Sequence, residues 1–163
     1  MRNYWLFLTD PESYHLDELF RKKTDVWDGV MGSVAQKYLG QIHKGDRIIG
    51  YHTAPGKCAY GVLEAVGEPY QNPELKESNH VVDVCGVAKL RRPVPLAELR
   101  ASARLKQMRL FKMFRPIAVS PLTPAEYREI CRLGGLRPRN PATTVVSKLK
   151  CPLFGAHDMS GSR

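Results

Sequence analysis

The sequence has no cysteine pairing, no long apolar run and no catalytic signature. Its four cysteines, Cys58, Cys85, Cys131 and Cys151, stand far apart, with no C-x-x-C spacing and no histidine at a finger-like offset. No zinc site or other metal site is therefore expected, and the thiols read as free side chains in a reducing compartment. The longest apolar stretch, Ala59 to Val66, is broken by Gly61 and Glu64, far short of the ~20 residues that span a bilayer. Nothing resembles a leader peptide, so the expectation is a soluble intracellular protein with no membrane partner: cytoplasmic, at the nucleoid, in a bacterium or archaeon, and nuclear in a eukaryote. G-x-S-x-G, H-E-x-x-H, the P-loop and G-x-G-x-x-G are all missing, and the five histidines are isolated. No enzyme and no cofactor are expected from such a chain.

What is present is positive charge. The 163 residues carry 25 Lys and Arg against 16 Asp and Glu, a formal net charge of +9. Between Lys89 and Arg115 lie nine basic residues and one acid, Glu98, giving that segment +8. A balance of this kind favours a polyanionic partner over a neutral one, and nucleic acid is the leading candidate. The bland alternative is a solvated face.

The pattern of apolar residues predicts an α+β chain. Tyr4 to Leu8 reads as a buried strand closed by Thr9-Asp10-Pro11. Leu16, Leu19 and Phe20 follow at helical spacing behind Ser13, taken as the N-cap, and a second helix spans Val30, Val34, Tyr38 and Leu39 up to Gly40. Arg47 to His52, Cys58 to Val66 and His80 to Leu90 are rich in Val, Ile and Tyr and read as strands. Pro93 to Arg100 and Leu105 to Phe111 predict short helical turns, and Ile117 to Val119 a closing strand. Thr123-Pro124-Ala125-Glu126 supplies an N-cap, a proline at the first helical position and a capping-box glutamate for a helix ending at Gly134-Gly135. Strands interleaved with short helices suggest a strongly bent sheet closing into a small barrel. Residues 136–163, with three prolines and two glycines to punctuate them and a charge of +4, read as a flexible basic extension to a domain spanning 1–135.

Six motifs, in order, resemble the EVE domain family: YWLFLTDPESYHLDEL from Tyr4, WDGV from Trp27, GDRIIGYHT from Gly45, GVLEAVGEPYQNP from Gly61, VDVCGVAKLRRPVPLAEL from Val82 and VSPLTPAEY from Val119. The likeness runs from about Asn3 to Leu133. It implies a PUA-like small barrel flanked by short helices, related to YTH domains, and a non-catalytic role in reading a modified base of DNA or RNA flipped into an aromatic pocket. Carried onto this sequence, the pocket falls on Thr9, Trp27, Asp28, Gly29, Val30, Ser33, Tyr51, His52 and Thr53, with Trp27 and Tyr51 as aromatic plates. Phosphates would be met by Lys37, Arg91, Arg92, Arg109, Lys112 and Arg115. Where many family members follow WDGV with an Arg-Asn pair, this chain has Met31-Gly32-Ser33-Val34, and the family's arginine before the closing strand falls on Pro116, beside Arg115.

Each pocket residue also has a structural alternative: core packing for Trp27 and Tyr51, a turn or cap for Asp28, a satisfied buried histidine for His52. Two other functional classes stay open at this point. One is a PUA-like enzyme acting on a nucleobase or nucleoside through an acid–base pair of His52 and Asp28; the other is a small-molecule sensor or protein-interaction module.

Overall fold

A computed structural model describes residues 2–76 and 79–137, so all of the expected extension beyond Arg137 lies outside the described residues. The first strand, β1 (Tyr4–Thr9), is followed by α1 (Leu16–Lys22), β2 (Thr24–Trp27) and α2 (Ser33–Leu39). Then come β3 (Arg47–His52), β4 (Cys58–Ala65), β5 (Tyr70–Gln71) and the 16-residue β6 (His80–Pro95). The chain closes with α3 (Leu96–Ala101), a 3-10 turn (Ala103–Leu105), α4 (Arg109–Lys112), β7 (Val119–Leu122) and α5 (Pro124–Leu133).

The strands form one mixed seven-stranded sheet in the order β2-β6-β4-β3-β1-β7, with β5 added to β6. β1 and β3 run parallel, with Tyr4 opposite Arg47 and Thr9 opposite His52; the other pairs are antiparallel. Register shifts in β4 between Ala59 and Gly61 and between Val62 and Leu63 bend it against β6. Among the described residues β2 and β7 remain the two ends of this order, so the expected barrel is bent but open. α2 packs on both β7 and β6 and fills the space a closing pair of strands would take.

Side-chain alternation divides the interior in two. One face gathers Trp5, Phe7, Leu16, Leu19, Trp27, Val30, Leu39, Ile48, Leu63, Val82 and Val119 into a first core. The other gathers Leu6, Ile49, Tyr51, Val62, Leu90, Val94, Leu99, Leu105, Leu110 and Ile130 into a second, covered by α3, α4 and α5. α1 lies close on the strands because they offer glycine: a Cβ at Gly61 or Gly86 would come within 2.6 Å of the Phe20 ring.

Several expectations shift. α1 is capped by His15, whose imidazole accepts the Asp17 N–H at 3.0 Å, while Ser13 belongs to a turn closed on the Asp10 carbonyl. β2 was not anticipated, and α2 begins at Ser33 behind Gly32, leaving Val30 in the preceding loop. Pro93 to Pro95 extends β6 in place of a helical turn, because Val94 pairs with Ala59 and buries its side chain in the second core. Its two prolines flank it on alternate positions near the strand end, where a missing N–H is tolerated. β7 lies at Val119–Leu122, later than expected, and the capping box of α5 is complete, with Thr123 N–H to Glu126 at 2.9 Å and Glu126 N–H to Thr123 at 3.1 Å.

Candidate nucleic-acid interface

The rim of the first core carries the WDGV motif. Trp27 ends β2 opposite Val82, and its ring sits 5.0 Å from that of Phe7 and edge-on to Tyr14 at 6.0 Å. Only 7% of Trp27 is exposed. Gly29 takes φ +72°, which turns the chain immediately after Asp28, and Asp28, Gly29 and Ser33 are exposed. The loop is held from beneath by Gln36: its amide donates to the Val30 carbonyl at 2.7 Å and accepts the His80 N–H at 2.9 Å. Gln36 lies outside the pocket residues expected from the sequence; its burial, at 8% exposure, is what marks the clamp.

The neighbouring corner is built by hydrogen bonds. Thr9 Oγ1 donates to the Tyr14 carbonyl at 2.9 Å, and Thr53 donates its N–H to the Thr9 carbonyl at 2.9 Å. Tyr14 donates its hydroxyl to Asp25 at 2.6 Å; burial first, and that carboxylate second, push its pKa up. Burial alone would raise Asp25, but hydrogen bonds from Tyr14, the Val26 N–H and Lys22 outweigh it and hold the carboxyl below its ordinary range. Thr9 and Thr53 thus shape the corner with their polar atoms.

Tyr51 and Trp27 are not brought together. Tyr51 follows Ile49 into the second core, whereas Trp27 packs in the first, so the sheet separates the two rings expected to sandwich a base. His52 faces the first side but is committed to α1: its Nε2 accepts the Leu16 N–H at 3.1 Å. Its ring stacks on Tyr60 at 4.4 Å and meets His15 at 4.4 Å, and burial, followed by the nearby His15, pushes its pKa down to about 4. The carboxylate whose charge acts on this histidine is Asp17, which favours its protonated form against the effects of burial and His15. Asp17 accepts from Lys89 at 2.6 Å and from the Tyr60 hydroxyl at 2.7 Å, and these bonds hold it below the ordinary carboxylate range.

The basic segment divides. Lys89 is bound to Asp17, Arg92 to Glu98, and Arg91 donates its N–H to the Gly134 carbonyl at the end of α5. Arg109, by contrast, places its guanidinium 5.7 Å above the Tyr38 ring of α2, which rests on the first core beside Trp5. Lys37 is exposed on the same helix, and Lys112 and Arg115 are exposed beyond Arg109. Of the six expected phosphate contacts, Lys37, Arg109, Lys112 and Arg115 fall on or next to α2 and α4, while Arg91 and Arg92 lie against α3 and α5. Among the described residues no group of three or more potential ligands could hold a metal ion, and no helix is long and apolar enough to cross a membrane.

The family model for the EVE domain matches residues 3–133. The chain belongs to the EVE domain family. Among its relatives, human thymocyte nuclear protein 1 is 28% identical over 175 residues, covering 85% of this chain and 76% of that protein. The solved structure of a protein from Agrobacterium tumefaciens superposes with a TM-score of 0.78 at 28% identity, over 84% of this chain and 96% of that one. The human THYN1 protein, solved in complex with DNA containing 5-methylcytosine, gives 0.70 at 25% identity, over 83% of this chain and 99% of that one. The YTH domain of Zygosaccharomyces rouxii MRB1, solved with N6-methyladenosine RNA, shares the fold at a TM-score of 0.57 and 12% identity. The EVE domain described here therefore has a PUA-like, YTH-related architecture, as the sequence motifs implied.

Proposed function

We propose that this EVE domain is a non-catalytic reader of nucleic acid that receives a modified base at the rim of the first core. Trp27 supplies the aromatic floor, and Asp28, Gly29 and Ser33 supply the mouth. The observation that carries the reading is the loop after Trp27, pinned by Gln36 so that the exposed Asp28, Gly29 and Ser33 follow an aromatic ring at the edge of the first core. The complex of the human relative with 5-methylcytosine DNA supports the same class of partner.

A base leaving its stack costs a few kcal/mol, which stacking on an aromatic face and hydrogen bonds to the base edge must offset. A carboxylate such as Asp28 accepts hydrogen bonds only, so it suits the exocyclic amino group of cytosine or adenine. Lys37, Arg109, Lys112 and Arg115 contribute affinity through phosphates, without sequence information. Tyr51 and His52 have no part in this pocket.

Fluorescence anisotropy with single- and double-stranded DNA and RNA, plain or carrying 5-methylcytosine, 5-hydroxymethylcytosine or N6-methyladenine, tests the proposal at two salt concentrations. The expected result is preference for one modified strand, with Asp28→Ala weakening binding of that strand roughly tenfold, the loss of one charge-assisted hydrogen bond. Equal binding to every strand, or an Asp28→Ala protein that binds the modified strand as tightly as the wild type, overturns it.

A further inference from the structure

Phe114 is 100% exposed, in contrast to every core aromatic of the first face, and Met113 beside it is 41% exposed. They stand in the short connection between α4 and β7. Both ends of that connection are held: at one, Leu110 and Phe111 of α4 pack in the second core while Arg109 lies over Tyr38, and at the other Ile117 and Ala118 pack on the first core while the Ala118 carbonyl accepts the Leu8 N–H at 2.9 Å. Pro116 fixes its own φ within this span and stiffens it. A large apolar ring is thus held in water on a short tether that leads into the first core, to which Trp27 belongs.

Its surroundings are one-signed. Arg109, Lys112 and Arg115 flank it, and the sequence has no acid between Glu98 and Glu126. An apolar pocket on a protein would match the ring without needing these cations. Stacked bases bordered by phosphates match both, and an aromatic ring has about the thickness of one base step, ~3.4 Å.

We propose that Phe114 enters the base stack of a duplex beside the base read at Trp27 and fills the gap that base leaves. This rests on the base-reading proposal above. Extrusion leaves unstacked neighbours and an orphaned partner, and apolar wedges are a general way to occupy such a gap.

The test compares wild type, Phe114→Ala and Phe114→Leu on three probes: the preferred modified duplex, the same duplex without modification, and the free modified mononucleotide. Phe114→Ala is expected to bind the modified duplex at least tenfold more weakly, with an unchanged salt slope because no charge is lost, and to bind the mononucleotide as the wild type does. Phe114→Leu recovers most of the duplex affinity. The fully exposed position makes folding insensitive to either change, and a thermal melt of each variant checks this. If the wild type discriminates modified from plain duplex and Phe114→Ala does so with equal affinity, the base reading stands and the wedge falls. If the mononucleotide is weakened as much as the duplex, Phe114 lines the pocket and the wedge is again wrong. Duplex binding unaltered alongside loss of self-association, measured by sedimentation, would assign the ring to a protein interface. If the wild type fails to discriminate at all, both proposals fall together.

Discussion

The two faces of the sheet are built from the same strands but left in different states. The second face is sealed: α3, α4 and α5 cover it, Ser102 and Arg132 both bind Glu129, and these partners, Arg132 first, hold that carboxyl down to about 2. Even its cross-strand charge is matched, with Arg47 and Glu64 paired at 3.2 Å and nearly buried. The first face has a buried centre but an unfinished edge, where among the described residues β2 and β7 do not pair and α2 packs on both β7 and β6. Trp27 and the loop behind it stand at the β2 end of that edge, and Phe114 lies in the connection that leads into β7. A sheet that closed completely would have satisfied every backbone group and left no rim; the opening separates a load of stability on one side from a surface for recognition on the other.

The largest way to test this division is to damage the sealed face. Glu64→Ala leaves Arg47 charged in a buried setting, and removal of one partner of such a pair costs on the order of 3–5 kcal/mol. Urea denaturation should show that loss, while the folded fraction keeps the modified-to-plain binding ratio of the wild type. A changed ratio would mean the two faces are coupled.

A smaller effect comes from pH on the first face. His52 is depressed from its ordinary 6.5 to about 4, so between those values the unfolded chain binds a proton that the folded chain does not. Stability from this group is complete above pH 6.5 and is lost as pH falls towards 4, by on the order of 2–3 kcal/mol. Denaturation at pH 7 and pH 5 measures it, and His52→Gln, which retains an acceptor for the Leu16 N–H, should flatten the difference. An unaltered slope in that variant would place the titration elsewhere.

The smallest effect sharpens the contrast between cations. Lys112→Ala with Arg115→Ala should weaken every oligonucleotide about tenfold and reduce the log–log salt slope by about two, the value for two lost phosphate contacts. Arg91→Ala with Arg92→Ala should change the slope by less, since Arg92 is bound to Glu98 and both lie by α3 and α5. Anisotropy titrations over a salt series decide it; equal slopes for the two double variants would restore the whole segment as one surface.

Much of this architecture was legible in the residues. β1, β3 and β4 announce themselves as apolar runs ended by turn residues, and Thr123 with Glu126 specifies the start of α5 at the level of individual hydrogen bonds. β2 did not, because of Thr24, Asp25, Val26 and Trp27 only the last is buried, and four residues show no period. The separation of Tyr51 from Trp27 was hidden for the opposite reason. Every residue of β3 is buried, so RIIGYH offers no polar alternation to tell one face from the other. The split of the basic segment depends on which cations find Asp17 or Glu98 through space, and charge order along the chain is silent on that. His52 illustrates the same limit: it was expected in the base pocket, with a satisfied buried histidine as the alternative, and the helix terminus that it binds lies 36 positions away.

Gln36 has a wider implication. Because its one amide grips both Val30 and His80, the outline of the mouth is fixed by a helix beneath it rather than by the residues that form its lip. The lip can then accept substitutions such as Met31-Gly32-Ser33-Val34 without losing its shape. In this design the frame and the insert are separable, so a lineage could exchange what it recognises while inheriting the same molecule.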